Sequence, residues 1–454
     1  MDQSSGRSLP GLFRPPSSQV PIKFAIAMAV ALTWTLFSVW VSARWMEDLT
    51  AVTHPWFALF AISFIAYVPG FMNAFLVATL LLDRRRPRNP PLVYPGVTVL
   101  IAAYQESGVI AETIAGVARA DYAGALEVLV LNDGSTDETA EVARQACASL
   151  ALPGRFSIEV VDFPRNRGKA AVLNAGLALS RHSLIVTIDG DTLMEPSALT
   201  HIVERLLADP PATMAVAGAV LVRNAHETLI TGAQQWDYFH GIAAVKRMQS
   251  LYNGTLVAQG AFSIYRKRAL EEVGGWPETV GEDIVLTWAM LRRGWRVGYA
   301  EDAIVFTNAP TTFRQFALQR KRWSRGMVEA LDHHEQLLLK PRLTAMFIWW
   351  NLLFMPLDLA YTVIFIPGVI IAAAFGVYWI AGPVTLAVLP LAGLWNLIIY
   401  RKQSRMLKRQ KLDLDPSWRG LLFYLFVYTI AMQPVCVWGY ASELTGRAKK
   451  WGTK

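Results

Sequence analysis

The stretch that decides the fold is Ser183-Leu184-Ile185-Val186-Thr187-Ile188-Asp189-Gly190-Asp191, an apolar run that ends in two carboxylates. A short apolar run rich in β-branched residues indicates a buried strand of a parallel sheet, and ligands of open α/β sheets bind at the carboxyl ends of such strands. Asp189 and Asp191 are therefore expected at the mouth of a site, where both can reach a hard divalent cation. Taken alone, an ordinary turn is the better interpretation, so the assignment depends on the neighbouring stretches.

The composition is typical of a membrane protein. Of the 454 residues 53% are apolar and only 17% are charged, and 16 are Trp. The net charge of +8 comes from basic residues that flank the apolar runs. Membrane topology explains that placement, so we do not interpret it as a nucleic-acid-binding surface. The long apolar runs are residues 24–43, 56–82, 345–399 and 420–440.

The chain divides into seven predicted segments. Arg84, Arg85, Arg86 and Arg88 follow the second apolar run, so the positive-inside rule places the middle of the chain in the cytoplasm. The number of C-terminal spans is open, because two plus three spans put the C-terminus outside, whereas the basic C-terminal residues favour the inside. The segments are a disordered tail (1–20), two transmembrane helices (21–83), a basic, proline-rich linker (84–96), an α/β domain (97–310), an interfacial amphipathic helix region (311–342), about three transmembrane helices (343–442) and a basic tail (443–454).

Short β-rich runs alternate with helical patterns from residue 97 onward, as in a parallel sheet with helices on its faces. The second run, residues 126–131, leads into Asn132-Asp133-Gly134-Ser135, which places Asp133 at the same sheet edge as Asp189. Ser135 and Glu138 predict a capping box for the helix that follows. Strands are also predicted at residues 97–101, 156–163, 214–222 and, as a short edge strand, 260–264; helices are predicted at residues 166–178, 228–249, 284–293 and 311–333.

Three carboxylate sites fall within the α/β domain: Asp133, Asp189 with Asp191, and Asp283. Acidic groups at one sheet edge repel each other unless a cation or proton is shared, so a bound Mg²⁺ or Mn²⁺ is expected. Such a cation prefers phosphate as a further ligand. No Walker A lysine loop and no Gly-x-Gly-x-x-Gly follows a strand, which argues against an NTPase and a dinucleotide-dependent oxidoreductase.

Six short motifs follow one another between residues 101 and 323. By their order and spacing, residues 97–329 resemble the family-2 inverting glycosyltransferases of GT-A fold, particularly the membrane-embedded processive synthases of cellulose, chitin and hyaluronan. The two leading spans and the Gly-Gly-Trp segment are most similar to poly-β-1,6-N-acetylglucosamine synthases of bacterial biofilms. The motifs are Ile101-Ala102-Ala103-Tyr104-Gln105-Glu106, Asn132-Asp133-Gly134-Ser135, Asn166-Arg167-Gly168-Lys169, Asp189-Gly190-Asp191, Gly281-Glu282-Asp283 and Gln319-Arg320-Lys321-Arg322-Trp323.

The resemblance implies a role for each motif. Ala102, Gln105, Asn132 and Gly281 depart from the Pro, Asn, Asp and Thr that are usual there, but every carboxylate that the chemistry needs is present. The resemblance assigns the uracil and ribose of a UDP-sugar to Tyr104, Glu106 and Asp133, a place near that nucleotide to Lys169, the diphosphate-bound metal to Asp189 and Asp191, and the general base to Asp283.

Elementary chemistry agrees with these roles. A departing diphosphate needs its charge neutralised, and an acceptor hydroxyl needs a carboxylate to take its proton. A single direct displacement inverts the anomeric centre and so gives β linkages from an α-linked donor. The alternative for Asp283 is a helix N-cap, which is common for Asp before an apolar run.

Gln319, Arg322 and Trp323 are spaced i, i+3 and i+4, which places them on one helix face. There an aromatic ring can stack on an acceptor sugar while a guanidinium approaches a diphosphate. The alternative is anchoring at the membrane interface, where Trp and Arg are common, and the two roles are compatible.

The leading hypothesis is a processive membrane glycosyltransferase that extends a polysaccharide from a UDP-sugar, with N-acetylglucosamine as the sugar that the resemblance favours. Export through its own spans and a small accessory membrane subunit are open extensions. One alternative is a non-processive transferase with a lipid-linked acceptor, and another is an inactive membrane scaffold or nucleotide sensor. The resemblance implies an integral protein of the bacterial inner membrane with its α/β domain in the cytoplasm and no nucleic-acid partner.

Overall fold

Residues 19–84, 90–252, 254–381 and 383–447 are described by the computed structural model. Most of the predicted N-terminal tail, residues 85–89 of the linker, and Lys449 and Lys450 of the basic tail lie outside the described residues.

Apolar helices precede the α/β domain. The segment Pro55–Leu82 is one continuous helix that contains a π-helical turn at Ser63–Tyr67. The first helix of the chain packs against the second half of this segment. The small side chains of Ala27 and Ala31 in the first helix are fully buried. The helices are α1 (Gln19–Val41), α2 (Ala43–Val52), α3 (Pro55–Ile62) and α4 (Val68–Leu82).

The domain is built on one mixed sheet of eight strands, in the order β3-β2-β1-β4-β7-β6-β8-β5. Strands β1 to β4 pair in parallel, as the alternating pattern predicts, whereas β7 is antiparallel to both of its neighbours. The strands are β1 (Val97–Ala103), β2 (Leu126–Asn132), β3 (Phe156–Asp162), β4 (Leu184–Asp189), β5 (Leu193–Met194), β6 (Thr213–Val222), β7 (Phe262–Arg266) and β8 (Arg296–Thr307).

The register of the parallel strands brings three polar segments to one edge. Ala103 of β1 lies beside Asn132 of β2, and Ala102 lies beside Asp189 of β4. Because these strands end at nearly the same level, the residues that follow them are neighbours. This confirms the expectation that Asp133 and Asp189 share a sheet edge.

One strand was predicted at the wrong position in the sheet, and another strand was missed. The run at residues 260–264 was expected at the sheet edge, but β7 lies in the interior between β4 and β6, where its first four residues are buried. A strand buried on both faces loses the polar alternation that marks its position in a sequence. Strand β8 was not predicted, because Gly298, Glu301 and Asp302 interrupt its apolar residues.

Helices cover both faces of the sheet. The helix predicted at residues 228–249 is continuous, with a π-helical segment at Tyr238–Ala244 between two α-helical parts. Thr228 caps its first turn by accepting a hydrogen bond from the amide of Thr231 at 3.1 Å. The domain helices are α5 (Ile110–Ala118), α6 (Thr139–Ser149), α7 (Lys169–Leu179), α8 (Ala198–Ala208), α9 (Leu229–Asp237), α10 (Val245–Leu251), α11 (Lys267–Val273) and α12 (Glu282–Arg292).

The predicted capping box of α6 was wrong. This helix starts at Thr139, and Ser135 instead donates a hydrogen bond to Oδ1 of Asn132 at 2.6 Å. Asp137 accepts the amide hydrogen bond of Thr139 at 3.1 Å. Ser135 is therefore used to hold the turn after β2, because it also accepts the amide of Gln105 at 3.1 Å.

The remaining helices follow the domain. Within the described residues, four helices are long and apolar enough to cross a membrane: Gln19–Val41, Pro55–Leu82, Leu343–Phe375 and Trp418–Leu444. Helix α16 is not among them, and its C-terminal half is basic from Arg401 to Arg409, so the number of C-terminal spans stays a prediction. The helices are α13 (Phe313–His333), α14 (Leu343–Ala360), α15 (Ile366–Phe375), α16 (Pro383–Arg409), α17 (Trp418–Phe423) and α18 (Thr429–Leu444).

Polar contacts join the domain to the apolar helices. The hydroxyl groups of Thr79 in α4 and Tyr252 lie 3.1 Å apart. Arg247 of α10 binds Asp83 at the end of α4 at 2.6 Å and Glu301 of β8 at 2.5 Å. The position of the sheet relative to these helices is therefore fixed by both apolar packing and ion pairs.

Candidate active site

Asp133 holds one site loop against the sheet. The residue follows β2 and is only 3% exposed. Its Oδ1 accepts a hydrogen bond from the amide of Arg167 at 2.6 Å, and its Oδ2 accepts one from the amide of Gly168 at 2.9 Å. Tyr104, which follows β1, is 39% exposed at the same edge. The structure thus brings Tyr104 and Asp133, two of the predicted nucleotide-binding residues, to one edge, and both oxygens of the Asp133 carboxylate accept backbone hydrogen bonds.

Gln105 lies in the left-handed region with φ 58°, where a side chain that bonds locally offsets strain. Its Nε2 donates to Oγ1 of Thr136 at 2.6 Å, and its Oε1 accepts the amide of Asp137 at 3.2 Å. These bonds join the turns that follow β1 and β2. Gln105, which stands where Asn is usual, therefore holds these two turns together.

Glu106 lies against the Asp189-Gly190-Asp191 turn. A Cβ added at Gly190 would stand 3.3 Å from Cγ of Glu106 and 3.1 Å from the carbonyl oxygen of Ala102. Close packing therefore favours a small residue between the two aspartates. Glu106 thus lies beside the residue that separates Asp189 from Asp191.

Lys169 is buried between carboxylates at the start of α7. Its Nζ lies 2.5 Å from Oδ1 of Asp189 and 3.5 Å from Oε1 of Glu282. Burial by itself lowers the pKa of Lys169, but the charges of Asp189 and Glu282 outweigh it and hold the pKa above its ordinary value. Gly260 leaves room for this ammonium group, because a Cβ there would stand 2.5 Å from Nζ. Lys169 thus connects the strand-end carboxylates to α12.

The carboxylates of Asp189 and Asp191 suit a divalent cation that shares ligands with a substrate. The described residues contain no group of three or more His, Cys, Asp and Glu side chains able to hold a metal ion by themselves. Two carboxylates leave most positions of an octahedral Mg²⁺ or Mn²⁺ for water and phosphate oxygens, which is how such ions are usually bound beside substrate phosphates. The donor set therefore fits a cation that arrives with a diphosphate.

Asp283 stands in the first turn of α12. The helix begins at Glu282 with Gly281 as its N-cap, so Asp283 is not the cap that the alternative interpretation required. A carboxylate in this position is stabilised by the helix dipole. Burial lowers the pKa of nearby Lys246 to about 7, and the charge of Asp283 opposes that lowering. No sequence pattern indicated that Lys246 lies close to Asp283.

The first turn of α12 rests on α13. A Cβ added at Gly281 would stand 2.5 Å from Cα of Gly326. A threonine at position 281 would therefore force the two helices to shift apart. The contact brings the helix of the predicted base against the helix of the predicted acceptor-binding residues.

Helix α13 directs Arg322 toward the carboxylates. The charge of Arg322 opposes the rise that burial causes in the pKa of Glu282. Burial raises the pKa of Tyr238 to about 12, and the charges of Asp191 and Arg322 both act on this phenol. Arg322 therefore lies within electrostatic reach of Glu282 in α12 and of Tyr238, the phenol on which Asp191 also acts. Oε1 of Gln319, one turn earlier, is buried without a hydrogen-bond partner among the described residues.

Part of the Trp323 ring is exposed. The side chain is 38% exposed, and the guanidinium carbon of Arg320 lies 4.2 Å from its ring centroid. Arg320 is buried and forms an ion pair with Asp237 of α9, with Nη2 and Oδ2 2.9 Å apart. Tyr428 donates a hydrogen bond to the same carboxylate oxygen at 3.0 Å. No pattern in the sequence indicated this support of Trp323, because Asp237 lies far from Arg320 along the chain.

This fold, with carboxylates at strand ends and an acidic helix N-terminus beside them, defines a glycosyltransferase domain of the GT-A type. The family model described as "Glycosyltransferase like family 2" matches residues 95–326, about half of the chain. The chain therefore belongs to family 2 of the glycosyltransferases.

The chain is similar to enzymes of polysaccharide synthesis. It is 31% identical over 237 residues to the poly-beta-1,6-N-acetyl-D-glucosamine synthase of Staphylococcus aureus strain MW2, a match that covers 52% of this chain and 55% of that protein. It is 28% identical over 280 residues to the synthase of the same name from Staphylococcus epidermidis, covering 59% of this chain and 66% of that protein. The matched region thus spans little more than half the length of the Staphylococcus aureus relative.

A solved structure supports the fold. The mannosyltransferase PcManGT from Pyrobaculum calidifontis, in complex with GDP-Man and Mn²⁺, superposes with a TM-score of 0.60 at 19% identity. The match covers 86% of this chain and 99% of that one. At this identity the likeness shows the shared fold alone.

Proposed function

We propose that this protein is a processive, inverting membrane glycosyltransferase that extends a polysaccharide with N-acetylglucosamine from UDP-N-acetylglucosamine, forming β linkages. The observation that carries the proposal is the contact between Gly281 and Gly326, which sets the predicted base on α12 against the predicted acceptor platform on α13. The similarity to synthases named for poly-β-1,6-N-acetylglucosamine supports this choice of sugar and linkage.

The donor lies at the sheet edge in this proposal. Tyr104, Glu106 and Asp133 bind the uracil and ribose, and Lys169 lies near the same nucleotide. Asp189 and Asp191 hold Mg²⁺ or Mn²⁺ on the diphosphate; the Mn²⁺ in the complex of PcManGT supports a divalent cation. The bound cation neutralises charge that develops on the leaving diphosphate.

Asp283 is the general base. It takes the proton of the acceptor hydroxyl while that oxygen attacks the anomeric carbon of the donor. The bond between that carbon and the UDP oxygen breaks as the new glycosidic bond forms on the opposite face, so the configuration inverts. Arg322 adds a positive charge near the leaving diphosphate, and Gln319 offers a polar contact beside it.

Trp323 retains the polymer end between cycles. Its exposed ring offers a stacking surface, and α13 leads directly toward the apolar helix that starts at Leu343. The membrane location is supported by the four apolar helices, and the basic residues after α4 favour a cytoplasmic domain in a bacterial inner membrane. The location of α13 at the membrane interface stays part of the proposal.

The second candidate is a transferase that adds one sugar to a lipid-linked acceptor. It uses the same donor site, and the proximity of α13 to apolar helices is compatible with a lipid. The partly exposed ring of Trp323, on the helix that contacts the start of α12, favours the processive enzyme, because one transfer has no need to retain its product. An inactive scaffold or nucleotide sensor has no need of Asp283 in addition to the donor residues.

To test the proposal, purified protein is incubated with a panel of UDP-sugars and Mg²⁺ or Mn²⁺, and the size of the products is measured. The proposal predicts polymer from UDP-N-acetylglucosamine. A product with a single added sugar would favour the second candidate, and absence of transfer from every donor would favour the scaffold.

A further inference from the structure

Helix α13 carries a buried carboxylate that faces the segment of the predicted base. Glu329 is 2% exposed. Its Oε1 accepts a hydrogen bond from the amide of Val280 at 3.2 Å, and its Oε2 accepts one from the amide of Gly281 at 2.9 Å. Both amides lie immediately before α12, which begins at Glu282. No motif in the sequence pointed to Glu329.

The N-cap residue of α12 has no side chain that could cap the helix. The first amides of a helix lack partners within the helix, and a Ser, Thr, Asn or Asp at the N-cap usually satisfies one of them. Here the N-cap is Gly281, and no side-chain cap is present. Because a Cβ at this position would stand 2.5 Å from Cα of Gly326, the helix contact excludes a capping side chain there. Glu329, three residues beyond Gly326, binds from the neighbouring helix the amide of this N-cap residue, Gly281, and the amide of Val280 before it.

We propose that Glu329 is a positioning residue for sugar transfer, which holds Asp283 at a fixed distance from the acceptor-binding face of α13. The inference rests on the proposed function, in which Asp283 is the base and Trp323 binds the acceptor. Glu329, Gly326 and Trp323 belong to one α-helix, so the base-bearing turn and the acceptor platform share a single rigid support.

Positioning of this kind affects turnover more than donor binding. A misplacement of about 1 Å between reacting groups costs about 10²-fold in rate. The hydrogen bonds of Glu329 are charge-assisted and therefore stronger than those of a neutral acceptor. The amides of Val280 and Gly281 donate to Glu329, whereas Asp133 of the proposed donor site accepts from the amides of Arg167 and Gly168.

The test compares Glu329→Ala and Glu329→Gln with the wild-type protein. Donor affinity is measured by calorimetry with UDP and Mn²⁺, turnover by product formation at saturating donor, and folding by thermal unfolding. Asp332→Asn is the matched control, because Asp332 is exposed on the same helix and its loss changes the charge equally. We expect Glu329→Ala to lower kcat about 10²-fold at unchanged UDP affinity. Glu329→Gln should retain part of kcat, because its amide oxygen still accepts a hydrogen bond.

A double variant with Asp283→Asn separates positioning from a general loss of structure. Because Glu329 acts through Asp283, adding Glu329→Gln to Asp283→Asn should lower the residual rate little further. Wild-type kcat in Glu329→Gln, or UDP affinity that falls as far as kcat, would overturn the inference even if Glu329→Ala fails to fold. Failure of the wild-type protein to transfer any sugar would instead reject the proposed function.

Discussion

The two halves of the candidate site are built in different ways. The donor half, formed by Tyr104, Glu106, Asp133, Asp189 and Asp191, lies where neighbouring strands of one sheet end. The transfer half, formed by Asp283, Gln319, Arg322 and Trp323, lies on α12 and α13, which are held by contacts between distant parts of the chain. Lys169 connects the halves through Asp189 and Glu282. The donor half therefore depends on strand register, whereas the transfer half depends on helix packing.

The largest expected effect comes from breaking the donor half. Asp191→Ala should abolish sugar transfer and the metal-dependent part of UDP binding, because the diphosphate loses a ligand of its cation. Calorimetry of UDP binding with and without Mn²⁺ measures the second effect. Full transfer by the wild-type protein in metal-free buffer would contradict the assignment of Asp189 and Asp191 as metal ligands.

Removing the base should impair the transfer half without impairing the donor half. Asp283→Asn preserves shape but cannot accept the proton, so turnover should fall about 10²- to 10⁴-fold while UDP affinity stays nearly intact. Turnover and UDP affinity are measured on the same preparation, with Asp332→Asn as the control for loss of one charge. A fall in UDP affinity as large as the fall in turnover would show that Asp283 is not the base.

The ion pair behind Trp323 tests the packing of the transfer half. Arg320→Met leaves Asp237 buried without its cation, which should cost about 3–5 kcal/mol of folding free energy. Thermal unfolding in detergent measures the loss, and adding Asp237→Asn should restore part of it, since the buried charge is then removed. If the single and double variants unfold at the wild-type temperature, the pair does not stabilise α13.

The smallest expected effect concerns the acceptor platform. Trp323→Ala removes about 1–2 kcal/mol of stacking on the acceptor sugar, which weakens polymer retention about tenfold or more. Chains should become shorter or scarcer at unchanged UDP-sugar affinity, as gel filtration and calorimetry would show. Wild-type yield and chain length in this variant would leave Trp323 as a membrane anchor only.

The sequence predicted the placement of Asp133 and Asp189 at one sheet edge because the signals for it are local. An apolar run that ends in Asp189 indicates a strand, and parallel strands of similar length bring Asp133 to the same edge. The helical spacing of Gln319, Arg322 and Trp323 likewise predicted α13. The resemblance to family-2 glycosyltransferases then supplied the roles that spacing alone leaves open.

Contacts between distant segments could not be predicted in this way. Nothing in the pattern pairs Gly281 with Gly326 or Arg320 with Asp237, since these contacts depend on how complete helices pack. The interior position of β7 was missed for the same reason. Buried strands have similar sequences whichever strands they pair with. Ser135 was misassigned as a cap, because its tertiary bond to Gln105 competes with the local pattern.

The most direct test of the account is the length of the product made by purified full-length protein from UDP-N-acetylglucosamine with Mn²⁺, at a large excess of donor over enzyme. If the donor half and the transfer half act in repeated cycles on one retained chain, we expect long polymers from the earliest time points, while most acceptors remain unextended. Products that carry one added sugar at every time point would contradict it.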